Sequence, residues 1–183
     1  MKLLSSGVMI SSLFMATGTY AEATAPDTPA TITISGTTTS DQEAMCTLTA
    51  GVNTLQLHGN ADTLIEEGDI ADNTLFVPFF VRGNVQCDNL IEQGQLSYRF
   101  LGAADDSQGK ALANASTGEN AASGVAIGLF DREGSPISIN APAITLTKSI
   151  LDPGVGFQIV KLKDRTVTPG SVHGVLTIEI ERL

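Results

Sequence analysis

Apolar residues recur at every second position over short stretches of this chain, with turn-forming residues between them. Ile32 and Ile34 alternate with Thr31 and Thr33 in ATITISG, and Leu55 and Leu57 alternate with Gln56 and His58 in NTLQLHG. A period of two is the spacing of a strand that buries one face, because successive side chains point to opposite sides of the pleat. The same reading takes in LFVPFFVRGNVQC, a longer and more apolar run, then QLSYRFLG, GVAIGLFD, SPISINA and VGFQIVKLK. VHGVLTIEIE completes the series, with Leu176, Ile178 and Ile180 set against Thr177, Glu179 and Glu181. EEGD, DDSQGK, DREGSP, LDPGVG and VTPGS separate these runs and carry the Gly, Pro and Asp that turns require. Windows that could have been helical are broken by Gly or filled with Thr and Ser, so the pattern predicts an all-β chain.

The 183 residues suffice for one domain with a core of its own, and neither a repeat nor a linker divides them. Residues 1–23 are read separately. Lys2, an apolar run from Gly7 to Ala16 and small residues at Thr19, Ala21 and Ala23 have the layout of a secretory signal peptide, with cleavage after Ala21 or Ala23. No later stretch reaches the roughly 20 apolar residues of a spanning helix, so export without membrane insertion is the expectation. Two cysteines, Cys46 and Cys87, are an even pair in an exported chain, which most simply means one disulfide. Closing its loop of about 42 residues contributes roughly 4 kcal/mol on a chain-entropy argument. Many short strands with one such bridge point to an immunoglobulin-like β-sandwich.

Composition narrows the function more by exclusion than by indication. Ten basic residues against 20 acidic ones give a net charge of −10, which disfavours nucleic acid and anionic lipid as partners. The chain has no Trp, and its two histidines, His58 and His173, lie in separate strand patterns without a nucleophile elbow or a cluster of metal ligands. Glu66-Glu67, Asp105-Asp106 and Asp131 with Glu133 are paired carboxylates of the kind a glycosidase sets across a cleft. Each pair falls in a turn signal and reads as solvated turn residues. Asn114-Ala115-Ser116 is a glycosylation triplet that also occurs by chance. No catalytic residue, metal site or cofactor is expected.

Several segments, in order, resemble the type 1 fimbrial (chaperone–usher) pilin family. NTLQLHG is similar to the family's strand after the first cysteine, and LFVPFFVRGNVQCD to the apolar strand leading into Cys-Asp, here Cys87 and Asp88. SYRFLGAAD resembles the Phe-x-Gly segment. The most specific likeness is ASGVAIGLFDREGSPISIN, which carries Gly124, Val125, Ile127, Leu129, Asp131 and Gly134 in the family's spacing. Gly170 stands at the family's usual distance from the end, ahead of the alternating C-terminal strand. Two departures accompany the likeness. Arg182 stands where members carry a penultimate Tyr, and Pro26 and Pro29 remove two backbone donors from the N-terminal extension.

The resemblance implies an immunoglobulin-like sandwich lacking its last strand, with a groove beside the C-terminal strand that a donor strand completes. A periplasmic chaperone would supply that strand first, and the N-terminal extension of a neighbouring pilin subunit would replace it at an outer-membrane usher. Donor-strand complementation of this kind is a form of β-strand addition. On that reading residues 24–36 are the donor extension, with Ala30, Ile32 and Ile34 entering a neighbour's groove, and residues 37–183 are the pilin domain. Gly170, Leu176, Ile178, Ile180 and Arg182 would form the groove edge that meets the chaperone. The implied function is structural: a non-enzymatic subunit of a surface fimbria that supports adhesion, whether in the shaft, as an adaptor or as a terminator. Two alternatives suit the same residues. One is a single-domain minor tip adhesin or other exported ligand-binding sandwich. In the other, Ile32, Ile34, Ile178 and Ile180 are ordinary core residues of a sandwich complete in itself.

Overall fold

The computed structural model describes residues 28–37, 46–148 and 153–183. The expected signal peptide, its cleavage site and Pro26 lie outside them. In chain order the elements are β1 (Thr28–Thr37), β2 (Cys46–Ala50), β3 (Thr54–Gly59), β4 (Leu75–Gly83), α1 (Val85–Glu92), β5 (Leu96–Gly102), β6 (Leu112–Ala113), β7 (Val125–Phe130), β8 (Pro136–Ile137), β9 (Ile144–Thr145), β10 (Gly154–Lys161) and β11 (Val172–Arg182).

Two sheets face each other. One runs β3-β1-β11-β5-β9, and the other runs β2-β4-β10-β7-β6, with β8 paired to β7. Alternation explains the layer between them. Ile32, Leu57, Leu176, Ile178 and Phe100 from the first sheet meet Val77, Phe79, Ile127, Val155 and Phe157 from the second in a single buried cluster. Phe79, Tyr98 and Phe100 pack edge to face at centroid distances of 5.1 to 6.2 Å, a geometry that sets ring edges against ring faces. The Cys46–Cys87 disulfide joins β2 to α1 at the rim of this core.

The apolar run LFVPFFVRGNVQC is not one strand. It stays extended only to Gly83, after which Asn84 takes an extended conformation and its side-chain oxygen accepts from the Cys87 backbone N–H at 3.1 Å. That is an N-cap, and α1 follows from it with Cys87 and Leu90 turned into the core. β7 is buried on both faces, because loops cover its outer side. There Ala126 and Phe130 join Val160, Leu162, Ala71 and Ala111 in a second, smaller cluster.

A strand laid beside the C-terminal strand

The three predicted donor residues stand in β1, and β1 lies inside the first sheet, between β3 and β11. It pairs antiparallel with β3, Ala30 opposite Leu57 and Ile32 opposite Leu55, and parallel with β11, Ala30 opposite Val172, Ile32 opposite Gly174 and Ile34 opposite Leu176. Ala30 and Ile32 are fully buried and Ile34 is 3 % exposed. The strand beside β11 in this structure is thus the chain's own, at the position where the resemblance expects one from outside.

The outward residues of these strands are polar except Val175 of β11, and several of them bond across the sheet. Gln56 Nε2 donates to Thr31 Oγ1 at 3.2 Å, and Ser35 and Thr177 share a hydroxyl hydrogen bond at 3.1 Å. Arg99 on β5 meets Glu179 at 2.8 Å and Glu181 at 3.8 Å, and the Glu179 hydrogen bond and charge raise the guanidinium above its ordinary value. Apolar faces down and polar faces up fix the register, since a slip of one residue would reverse both.

Of the predicted groove-edge residues, Leu176, Ile178 and Ile180 are fully buried on β11. They form a row facing the second sheet. Gly174 continues that row without a side chain, and a Cβ there would come within 2.8 Å of Ile127 Cδ1. Arg182 is exposed and pairs in register with Leu96 of β5, beyond the end of β1. Gly170 lies ahead of β11, where its backbone presses on residues 120–122; a Cβ would stand 2.4 Å from the Ala122 nitrogen. Gly59, Leu64, Val125, Ile159, Gly170 and Val172 enclose a cavity of about 190 Å³ where β1 begins.

Asn114 pins the start of β11. Its amide nitrogen donates to the carbonyls of Ala122 and Ser171, and its oxygen accepts from the backbone N–H of Ser116 and His173, at 2.9 to 3.1 Å. An amide so engaged serves the fold rather than a glycan. Sequence reasoning also missed the second wall, Leu55 and Leu57 of β3, although their alternation was visible. Among the described residues no group of three or more His, Cys, Asp or Glu could hold a metal ion.

The solvated-turn reading of the carboxylate pairs is corrected at two positions. Glu67 and Asp105, one from each of two pairs, are 6 % and 7 % exposed and face each other. They stand where the 64–69 loop meets the turn before β6.

The profile of the fimbrial protein family matches residues 32–181, from the middle of β1 to the end of β11. The chain belongs to the fimbrial protein family. Its sandwich is accordingly of the immunoglobulin-like type, and the family is one of structural proteins that associate with other pilin subunits in fimbriae at the cell surface. Comparison with curated proteins finds no match.

Proposed function

We propose that this fimbrial protein polymerises by donor-strand exchange, its N-terminal strand leaving its own β11 to lie beside β11 of the next subunit. The supporting observation is that β1 is an N-terminal strand held in register against β11 from Ala30 to Thr37, with Ala30, Ile32 and Ile34 buried. An identical strand from a second copy can make the same backbone pairs and fill the same sites. Repeated head to tail, such a contact does not close on itself and gives a fibre.

Before assembly a periplasmic chaperone keeps the site beside β11 covered, meeting Leu176, Ile178 and Ile180 from the groove side and Gly170 and Arg182 at its ends. An outer-membrane usher then exchanges chaperone for subunit, and the signal peptide of residues 1–23 brings the chain to that route. The physical need for a chaperone is that an open sheet edge with unpaired backbone aggregates.

A chain lacking residues 24–36, mixed with a synthetic peptide of residues 24–37, tests the exchange directly. The expected result is a one-to-one complex with a higher unfolding midpoint than the truncated chain alone, whereas the same peptide carrying Asp for Ile32 and Ile34 fails to bind. A wild-type peptide that leaves the midpoint of soluble truncated protein unchanged would overturn the proposal. Failure of the truncated chain to stay soluble moves the test to purified fibres. There, the Ile32→Asp, Ile34→Asp subunit should be absent while wild-type subunits run as ladders after mild denaturation.

A further inference from the structure

The facing carboxyls of Glu67 and Asp105 have no part in strand pairing. Asp105 has three backbone donors and one acceptor site left, on Oδ2: its Oδ1 accepts from the backbone N–H of Ser107 and Gln108 at 2.8 and 3.0 Å, and its Oδ2 from that of Ala111 at 2.9 Å. Those bonds organise the turn that leads into β6, and they are bonds to a carboxylate. Glu67 has the opposite situation. Both of its carboxyl oxygens are buried, and neither receives a hydrogen bond from the protein. Its backbone is tied to β10, with its N–H donating to the Lys161 carbonyl at 2.9 Å while Glu66 bridges to Lys161.

Two ionised carboxylates in that position would leave a buried charge without a donor, an arrangement that burial strongly disfavours. One proton resolves the conflict. We infer that Glu67 is held as a neutral carboxylic acid donating its hydrogen to the Asp105 carboxylate, a single-proton latch that fastens the 64–69 loop to the turn before β6.

The surroundings agree. Burial, then the hydrogen bond to Asp105 and its negative charge, raise the Glu67 carboxyl above its ordinary value; the nearby N–H groups of Lys110 and Gln108 pull the other way and are outweighed, neither reaching hydrogen-bond geometry to it. Burial pushes Asp105 up as well, but the N–H groups of Ala111, Ser107 and Gly109, aided by Glu67, outweigh it and hold that carboxyl below the usual range. Among neighbouring cations, Lys110 lines a cavity with Glu67 without an ion pair to it among the described residues, and Arg165 is paired with Asp106 at 2.9 Å. Lys161 and Lys163 contribute backbone carbonyls, to the Glu67 N–H and the Ser107 hydroxyl, and Asp69 accepts from the Glu66 N–H at 3.2 Å.

The latch has a signed pH dependence. Because the folded state holds the Glu67 proton more tightly than the unfolded chain, its contribution is complete below the unfolded value of 4.5 and is lost as pH rises through the folded value. Between those two points the folding constant should fall by up to about tenfold per pH unit, the limit for one proton. Asp105 acts in the other direction, its contribution being lost as pH falls below its own depressed value.

The experiment is chemical denaturation of the wild type and of Glu67→Gln from pH 4 to pH 8, with infrared detection of protonated carboxyl groups in the folded protein. The amide that Glu67→Gln introduces can donate to Asp105 at every pH. The variant should therefore match the wild type at low pH, exceed it at high pH and lose the carboxyl band that the wild type shows above pH 5. Parallel pH profiles of the two proteins, or no such band in the wild type, would overturn the latch. So would stabilisation of the wild type, but not of Glu67→Gln, by millimolar calcium at neutral pH, because a cation would then be what joins the two carboxylates. Should Glu67→Gln fail to fold, the pH titration of the wild-type band decides alone.

Discussion

Replacing Ile32 with Ala isolates what β1 contributes to its own domain. Ile32 is fully buried between Leu55 of β3 and Gly174 of β11 in the register, and Gly174 offers no side chain that could move in to fill a gap. Truncating a buried Ile to Ala removes three carbons from the core and leaves a cavity, at a cost of about 2 to 5 kcal/mol. The rigid two-sheet setting and the glycine opposite place this site in the upper half of that range. Thr33, one residue on, points outward and is half-buried, so Thr33→Ala should cost under about 1 kcal/mol. Guanidinium unfolding of both variants, followed by circular dichroism, gives the two numbers. Running it at two protein concentrations tenfold apart adds a control, since a strand from the same chain makes the midpoint independent of concentration and a strand from another copy does not. An Ile32→Ala cost below about 0.5 kcal/mol, or one equal to that of Thr33→Ala, would refute the alternation that places β1 in the core.

Two other substitutions probe parts of the frame. Replacing Cys46 and Cys87 together with Ser should lower stability by about 4 kcal/mol on the loop-entropy argument, seen as a lower denaturant midpoint that reductant no longer changes. Gly134 has φ of +83° in the turn where Asp131 Oδ1 accepts from the N–H groups of Glu133 and Ser135, and a Cβ there would lie 2.1 Å from the Ala71 carbonyl oxygen. Gly134→Ala should thus cost upwards of about 1 kcal/mol in the same assay, and a neutral effect would show that the turn can move away from Ala71.

How far the chain could be read beforehand follows from the range of each signal. Alternation is local, and it located β1, β3 and β11, whereas β5, β7 and β10 fall on short apolar runs set off by turn residues. It reported which residues face inward, but it is silent on neighbours. Nothing in ATITISG says that its partner is β11, more than a hundred residues away, or that the pairing is parallel. Short strands such as β6, β8 and β9 have too few residues for a period to show. The helix α1 was hidden because its apolar residues continue those of β4, and the signal that separates them is Gly83 followed by a capping Asn84. Glu67 and Asp105 each carried the marks of an exposed turn. Their burial arises from the stacking of two turns on the outer face of β7, a long-range arrangement that neither turn encodes alone.

The place of β1 also bears on how an exchange could proceed. Every pair it makes with β11 in its own domain, and every site Ala30, Ile32 and Ile34 fill there, would be remade in the neighbour by an identical sequence, so the end states differ little in contact energy. The obstacle is the intermediate, in which β11 has lost one partner and its row of Leu176, Ile178 and Ile180 is uncovered. Such a state exposes apolar surface at about 25 cal/mol per Å² and leaves backbone groups unpaired, both of which raise the barrier rather than shift the equilibrium. A strand supplied by another protein while β1 is away lowers that barrier without altering either end state. On donor-strand exchange this is what a chaperone does for the subunit: it changes the rate and the timing of assembly, while the buried face of β1 sets how firmly the finished contact holds.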